Sequence, residues 1–382
     1  MKNLKITYKC RFLFWFLLFI VVITACEQTE KTEILRESKQ EQPSPDESAP
    51  PADDQKAMLV PIKDINGEFQ GANGWLSNEK IVYTVNAGTG SSVYIYDLFS
   101  GSQSLFYKSS APIVAVTVSP NGKYVLIRSS PGTYESNLTV VKENGEAVLD
   151  KSLSAFDLAV EWNPYKEESL FVSSFTEDWD FTSYHLDIKT GNLEEIEIKE
   201  PFAKWADENN LLYLAWDSDN PSLFAPMIKR QISGDNETEI LENIFQFDSE
   251  KNRVMTITVS SDEPDQAVYT FMDNRFQKQS VLAVPHLTRF SDWLVPYYDW
   301  AGDQFITFQP LYSADSDTYA GDFQLISFNT NEGVKDILIE GMENTPISCS
   351  PNGKTCLAGF YLEEVIMLDS KDKVPLLENE QI

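Results

Sequence analysis

Residues 118–127 read VSPNGKYVLI and residues 349–360 read CSPNGKTCLAGF. In each, an apolar residue closes one short strand, a polar Pro-Asn-Gly turn follows, and a second apolar strand begins. The phrase recurs as Trp75 with LSNE before KIVYTV, Trp162 with NPYKEE before SLFVSSF, and Trp205 with ADENN before LLYLAW. It returns as Phe247 with DSEKN before RVMTITV and as Trp300 with AGD before QFITF. The marker residues Trp75, Val118, Trp162, Trp205, Phe247, Trp300 and Cys349 stand 43, 44, 43, 42, 53 and 49 residues apart.

A second signal keeps the same period. The turn Asp97-Leu-Phe-Ser-Gly101 returns as Asp187-Ile-Lys-Thr-Gly191, ninety residues later. The strands are rich in Val, Ile, Tyr and Phe, and no long 3.6-period segment competes with them. A repeat of about 40–50 residues holding four strands predicts an all-β fold, a seven-bladed β-propeller. Six blades result if the first repeat packs as an accessory hairpin. The apolar segment 58–65 precedes the first repeat, and as a strand completing the last blade it would lock the ring.

Upstream of the repeats the chain changes character. Lys2, Lys5, Lys9 and Arg11 precede an unbroken apolar run from Phe12 to Ile23, then small residues up to Cys26. This is the pattern of a signal peptide over 1–25, with Cys26 placed for lipidation after Ile23-Thr24-Ala25. An uncleaved anchor is the alternative, and either way the remainder is expected outside the cytoplasm. Residues 26–57 are rich in Glu, Gln, Ser and Pro and nearly free of apolar side chains, so a disordered acidic tether is expected there. The propeller then occupies 58–382.

The Ser-Pro-Asn-Gly-Lys hairpins at 119–123 and 350–354 resemble those of WD40-like and TolB-type propellers. Together with the lipobox-like Ile23–Cys26 and the acidic tether, they resemble the YqgU-like bacterial lipoproteins over essentially the whole chain. The resemblance implies architecture and address, a propeller held by lipid on Cys26 at the extracytoplasmic face of the cell membrane. It carries no activity.

Charge excludes some partners. The chain has 30 basic and 59 acidic side chains. Removing residues 1–25 takes four basic and no acidic ones, leaving 26 against 59 and a net of −33. Such a surface repels nucleic acid and anionic polymers. It suits solubility in an exported protein, or attraction of a cation or a basic partner.

The sequence contains no G-x-S-x-G elbow, H-E-x-x-H helix, P-loop or dinucleotide fingerprint. His185 and His286 each stand alone, without a second ligand at metal spacing. Trp75, Trp162, Trp205 and Trp300 share one repeat position, where packing between blades explains them better than a ligand platform. An enzyme is therefore not expected. The alternative is an envelope polysaccharide hydrolase or lyase using a carboxylate pair at the channel mouth.

One asymmetry points to a binding face. The connections between second and third strands are long and acidic: TEDWD (176–180), DSDNPS (217–222), SSDEPDQ (260–266) and YSADSDTYAGD (312–322). Antiparallel alternation puts them all on one side of the disc. Asp178, Trp179, Asp180, Asp217, Asp219, Asp262, Asp265, Tyr312, Asp315, Asp317 and Tyr319 are the candidate contacts, for an envelope protein, a peptide or a cation. Asp315–Asp322 begins like a calcium loop, but Tyr319 stands where a third oxygen ligand belongs and no glutamate closes it. Ca²⁺ is thus a weak expectation and no other cofactor is implied. A monomer that scaffolds or binds at the envelope is the expected function.

Cys349 and Cys356 are the two cysteines left after Cys10 and Cys26. A four-residue loop, 351–354, would set them directly opposite and within disulfide reach. The commoner three-residue loop with a glycine bulge would point them to opposite faces. Val118 and Val125 fill the matching positions of the second repeat, which favours two small buried thiols.

Overall fold

In the computed structural model, residues 58–259, 262–290 and 292–378 are described. The expected signal peptide, Cys26 and the tether lie outside the described residues. Seven four-stranded antiparallel sheets follow one another in sequence, over 68–109, 113–154, 157–196, 204–244, 246–285, 298–342 and 347–375. Their first strands neighbour one another: Glu68–Trp75 touches both Ile113–Val118 and Ile347–Cys349, and Lys204–Trp205 touches Asp157–Trp162 and Gln246–Glu250. The sheets therefore stand radially with first strands innermost, as a propeller requires.

Burial explains the composition of each strand. The second strands, such as Lys80–Ala87 and Ser169–Phe175, are buried almost throughout, because both faces are covered by neighbouring sheets. The fourth strands, such as Gln103–Ser109 and Glu237–Ile244, are mostly exposed and carry the polar rim. Between third and fourth strands, the Asp97 carboxylate accepts the amides of Phe99 and Ser100 at 3.1 and 2.8 Å, and Gly101 takes φ +69°. Asp187 does the same for Lys189 and Thr190 ahead of Gly191 at φ +68°. This Asx turn is the physical content of the ninety-residue echo.

In the fifth sheet the register differs from the expected marker. Trp75, Val118, Trp162, Trp205, Trp300 and Cys349 each lie opposite the second residue of the second strand. In the fifth sheet that place, opposite Val254, belongs to Ser249 and not to Phe247. Aromatic character points to Phe247, whereas the structural position here holds a buried serine.

The seam between last and first sheets is closed without exchanging a full strand. The last sheet is completed by its own residues, Asp372–Pro375. Segment 58–65 instead crosses the seam: Ile62 makes one parallel bridge to Leu377, while the Val60 amide bonds to the Leu98 carbonyl at 2.8 Å. Ile62 is buried with Trp75, Leu357, Val365, Leu376 and Leu377 in a core shared by both sheets. Cys349 lies directly opposite Cys356, Ser350 N–H bonds to Thr355 O at 2.7 Å, and a disulfide joins the two cysteines. The four-residue loop is thus the one adopted. Val118 and Val125 are also directly opposite, so the bulged alternative is absent from both hairpins.

Candidate functional site

The four repeat tryptophans obey one rule. Each indole N–H donates to the residue that precedes the marker in the preceding sheet. Trp75 donates to the Ser348 carbonyl at 3.0 Å and Trp162 to Thr117 Oγ1 at 3.3 Å. Trp205 donates to the Glu161 carbonyl at 3.4 Å and Trp300 to Asp248 Oδ2 at 3.2 Å. Ser249 does similar work in the fifth sheet, its hydroxyl donating to the carbonyl of the preceding marker itself, Trp205 O, at 2.7 Å. These side chains key each inner strand to its neighbour, and their donors are spent on that task.

The residues that precede the markers form a ring of mixed character: Gly74, Thr117, Glu161, Lys204, Asp248, Asp299 and Ser348. Charge is confined to four successive strands. Lys204 Nζ lies 3.1 Å from Glu161 and 3.5 Å from Asp248. Burial raises Glu161 to about 7 against the pull of Lys204. Burial, with Asp248 nearby, likewise raises Glu250 to about 7. Asp299 is raised by burial to about 6, although its carboxylate accepts the Cys349 amide at 2.5 Å. Burial opposes the charge on Lys204, but Glu161 and Asp248 outweigh it and hold the ammonium protonated. A cavity of about 310 Å³ opens beside this ion triad, walled by Phe171, Pro201, Phe202 and Ala203.

The two ends of the ring differ. One, the turn face, carries the connections from first to second and from third to fourth strands. Its turns are stitched together: Asn121 N–H to Glu167 Oε1 at 2.8 Å, Asn163 Nδ2 to Glu208 O at 3.1 Å, and Asn352 N–H to Asn78 Oδ1 at 3.0 Å. Across the ring, Asn252 N–H reaches the Tyr165 hydroxyl at 2.9 Å. The other end, the loop face, carries the second-to-third connections and the crossings between sheets. Its connections hold 16 carboxylates against Lys199 and Arg289, whereas the turn face holds 11 against seven Lys and Arg, so acidity is concentrated on one side.

Exposed aromatic rings follow the same division. Tyr134, Phe156, Trp179, Phe202, Trp216, Phe290, Tyr297, Tyr312, Phe360 and Tyr361 are the exposed aromatics among the described residues. Every one lies in a loop-face connection. Exposed rings and surplus carboxylates thus share one side of the disc.

The structure brings the sequence-predicted contacts onto this face and gives several of them internal work. Asp178, Trp179 and Asp180 are exposed at the tip of the third sheet. Asp217 accepts the Asp219 amide at 2.9 Å, which places Asp219 on a fixed turn. Asp262 and Asp265 stand in the corresponding loop of the fifth sheet, and both are exposed. Asp315 accepts the Asp317 amide at 2.9 Å and pairs in parallel with Thr288 in a small three-stranded sheet. Tyr319 is a fastener: its hydroxyl donates to Asp322 O at 2.7 Å and accepts the Leu311 amide at 2.9 Å. Tyr312 packs against it in a tilted arrangement at 4.9 Å and remains exposed.

Among the described residues no group of three His, Cys, Asp or Glu side chains is arranged to hold a metal ion, so the weak calcium expectation for Asp315–Asp322 gains no donor set. His185 bonds to Ser169 Oγ at 2.6 Å, and buried His286 packs edge-on to Trp293 at 4.6 Å. The charged inner register escaped sequence reading. Its members stand alone in separate repeats, and the one signal for them was the residue before each marker, displaced by two in the fifth repeat.

The model of the family described as YqgU-like 6-bladed beta propeller domain matches residues 97–359. That span holds the sheets from 113 to 342 whole, with parts of the first and last. The family description counts six blades where this ring has seven four-stranded sheets. The chain is 26% identical over 329 residues to the uncharacterized lipoprotein YqgU of Bacillus subtilis (strain 168), covering 85% of this chain and 89% of that one. An uncharacterized protein from Listeria monocytogenes EGD-e superposes with a TM-score of 0.78 at 20% identity, over 85% of this chain and 98% of that one. The β-propeller domain of the trilobed protease from Pyrococcus furiosus, described as having an open velcro topology, gives 0.54 at 12% identity, over 82% and 99%. These two likenesses carry the fold alone.

Proposed function

This chain belongs to the YqgU-like 6-bladed β-propeller family, and from that premise we propose that it is a lipid-anchored binding module at the extracytoplasmic face of the cell membrane. Lipid on Cys26 would attach it. The pattern of residues 1–26 supports that address, as does the lipoprotein name of the Bacillus relative. The loop face holds the partner. One observation carries this reading: every exposed aromatic ring among the described residues lies on the side that also gathers the surplus carboxylates.

The module is read as non-catalytic. Glu161 and Asp248, the inner carboxylates nearest each other through a common neighbour, both face the Lys204 ammonium, an arrangement that serves to neutralise them. Cross-linking in intact cells tests the binding role. Charge reversal at Asp178, Asp219, Asp265 and Asp317 should remove a specific set of cross-linked partners. Reversal at Glu79, Glu143, Glu208 and Glu332 on the turn face should leave the set intact. An identical partner set in all three proteins would sink the reading.

A further inference from the structure

Four of the exposed rings form a chain of contacts, with buried Phe175 as one link, across the second, third and fourth sheets. Tyr134 and Phe156 lie 6.4 Å apart, and Phe156 and Trp179 lie 6.3 Å apart, edge to face. Buried Phe175 then links Trp179 at 5.8 Å to Phe202 at 5.7 Å. Exposure is 56% for Tyr134, 39% for Phe156, 61% for Trp179 and 63% for Phe202, so the rings present surface to solvent as well as to one another.

The chemistry around this ladder is one-sided. Its connections contribute Glu177, Asp178, Asp180, Glu197 and Glu200 against Lys199. Glu177 is fixed in place by the Tyr134 hydroxyl, which donates to Oε2 at 2.6 Å. Aromatic faces attract cations through their quadrupole, and adjacent carboxylates strengthen the attraction. The same carboxylates repel anionic lipid and phosphate. Spacing adds a constraint, because side chains on one face of an extended strand repeat every ~6.6 Å. The first three rings, at 6.4 and 6.3 Å, nearly match that repeat.

We propose that Tyr134, Phe156 and Trp179 seat an extended, Lys- or Arg-bearing segment of a partner polypeptide, with cationic side chains at alternate positions stacked on successive rings. This rests on the binding role of the loop face and names its ligand chemistry. Phe202 extends the ladder for one further residue.

The test is fluorescence anisotropy of the full-length protein in detergent at about 150 mM salt, where the Debye length is about 8 Å. The probes are a fluorescein-labelled peptide with three arginines alternating with serine, the same composition with its arginines contiguous, and a neutral N-acetylglucosamine hexamer. The alternating peptide should bind best. Trp179→Ala and Phe156→Ala, which change no charge, should each weaken it about tenfold. The turn-face variant E79K/E208K should bind as the parent does, and unchanged β-sheet circular dichroism would exclude misfolding. The inference is overturned by no binding of basic peptide, by equal binding of both peptides with no loss in Trp179→Ala, or by binding of the sugar instead. Retention of all cross-linked partners by Trp179→Ala, with their loss on charge reversal of the four loop aspartates, would overturn the ladder yet leave the binding face standing.

Discussion

The Asp299 carboxylate accepts the backbone amide of Cys349 at 2.5 Å, joining the sixth sheet to the seventh. Cys349 sits on an innermost strand, so its outward amide has no further strand to pair with and depends on this acceptor. Asp299→Asn keeps an acceptor oxygen and should be tolerated. Asp299→Ala orphans the amide and should cost about 1–3 kcal/mol in urea denaturation. Equal stability of the two variants would refute the role.

Stability should rise on mild acidification. Glu161 and Glu250 titrate near 7 and Asp299 near 6 in the folded protein, all above their ordinary range because of burial. The folded state therefore binds more protons than the unfolded state between about pH 4 and pH 7, and stability falls as pH rises through that window. The turn aspartates Asp97 and Asp187 act the other way. Burial opposes their charge, but amide hydrogen bonds hold them low, so they lose stability only in stronger acid. Water reaches Glu161, which discounts the effect, and Tm is expected to rise by about 2–4 °C from pH 8 to pH 5.5. Glu161→Gln should flatten part of that slope, as calorimetry across pH would reveal.

The disulfide can be separated from the packing it occupies. Since Val118 and Val125 fill the same register in the second sheet, C349V/C356V should preserve packing and lose only the cross-link. The closed loop is short, with a separation of seven residues, so a loss of about 2–3 kcal/mol is expected. Iodoacetamide should label neither Cys349 nor Cys356 in denatured, unreduced protein. Two labelled thiols would exclude the bridge.

Ile62 holds the seam through burial more than through its single bridge. Ile62→Ala should cost about 2–5 kcal/mol. Deletion of 58–65 should also raise amide exchange in the first and last sheets before the third and fourth. Uniform exchange across all sheets would argue against a weak seam.

The fold was more readable than the site. The repeat period exposed the blades because each sheet needs one buried second strand and one tight turn, and both leave short local signatures. The fifth marker was placed at Phe247, two residues from the true position, because the buried Ser249 shows no such signature. The acidic loops were visible as composition. The aromatic ladder was not, since Tyr134, Phe156 and Phe202 lie in three separate connections that only the ring brings together. Glu161, Lys204 and Asp248 were hidden for the same reason.

Each four-stranded sheet takes its strands in order from one stretch of chain, and the seam borrows no strand from the opposite end. Most pairings are therefore local, which keeps loop-closure entropy low and lets sheets form in order as the chain emerges. The ring is completed only when the last sheet, with the hairpin bearing Cys349 and Cys356, packs against the first. Until then the core face that Trp75 shares with Leu357 is uncovered, so the nascent arc is most prone to aggregation just before its final hairpin is made.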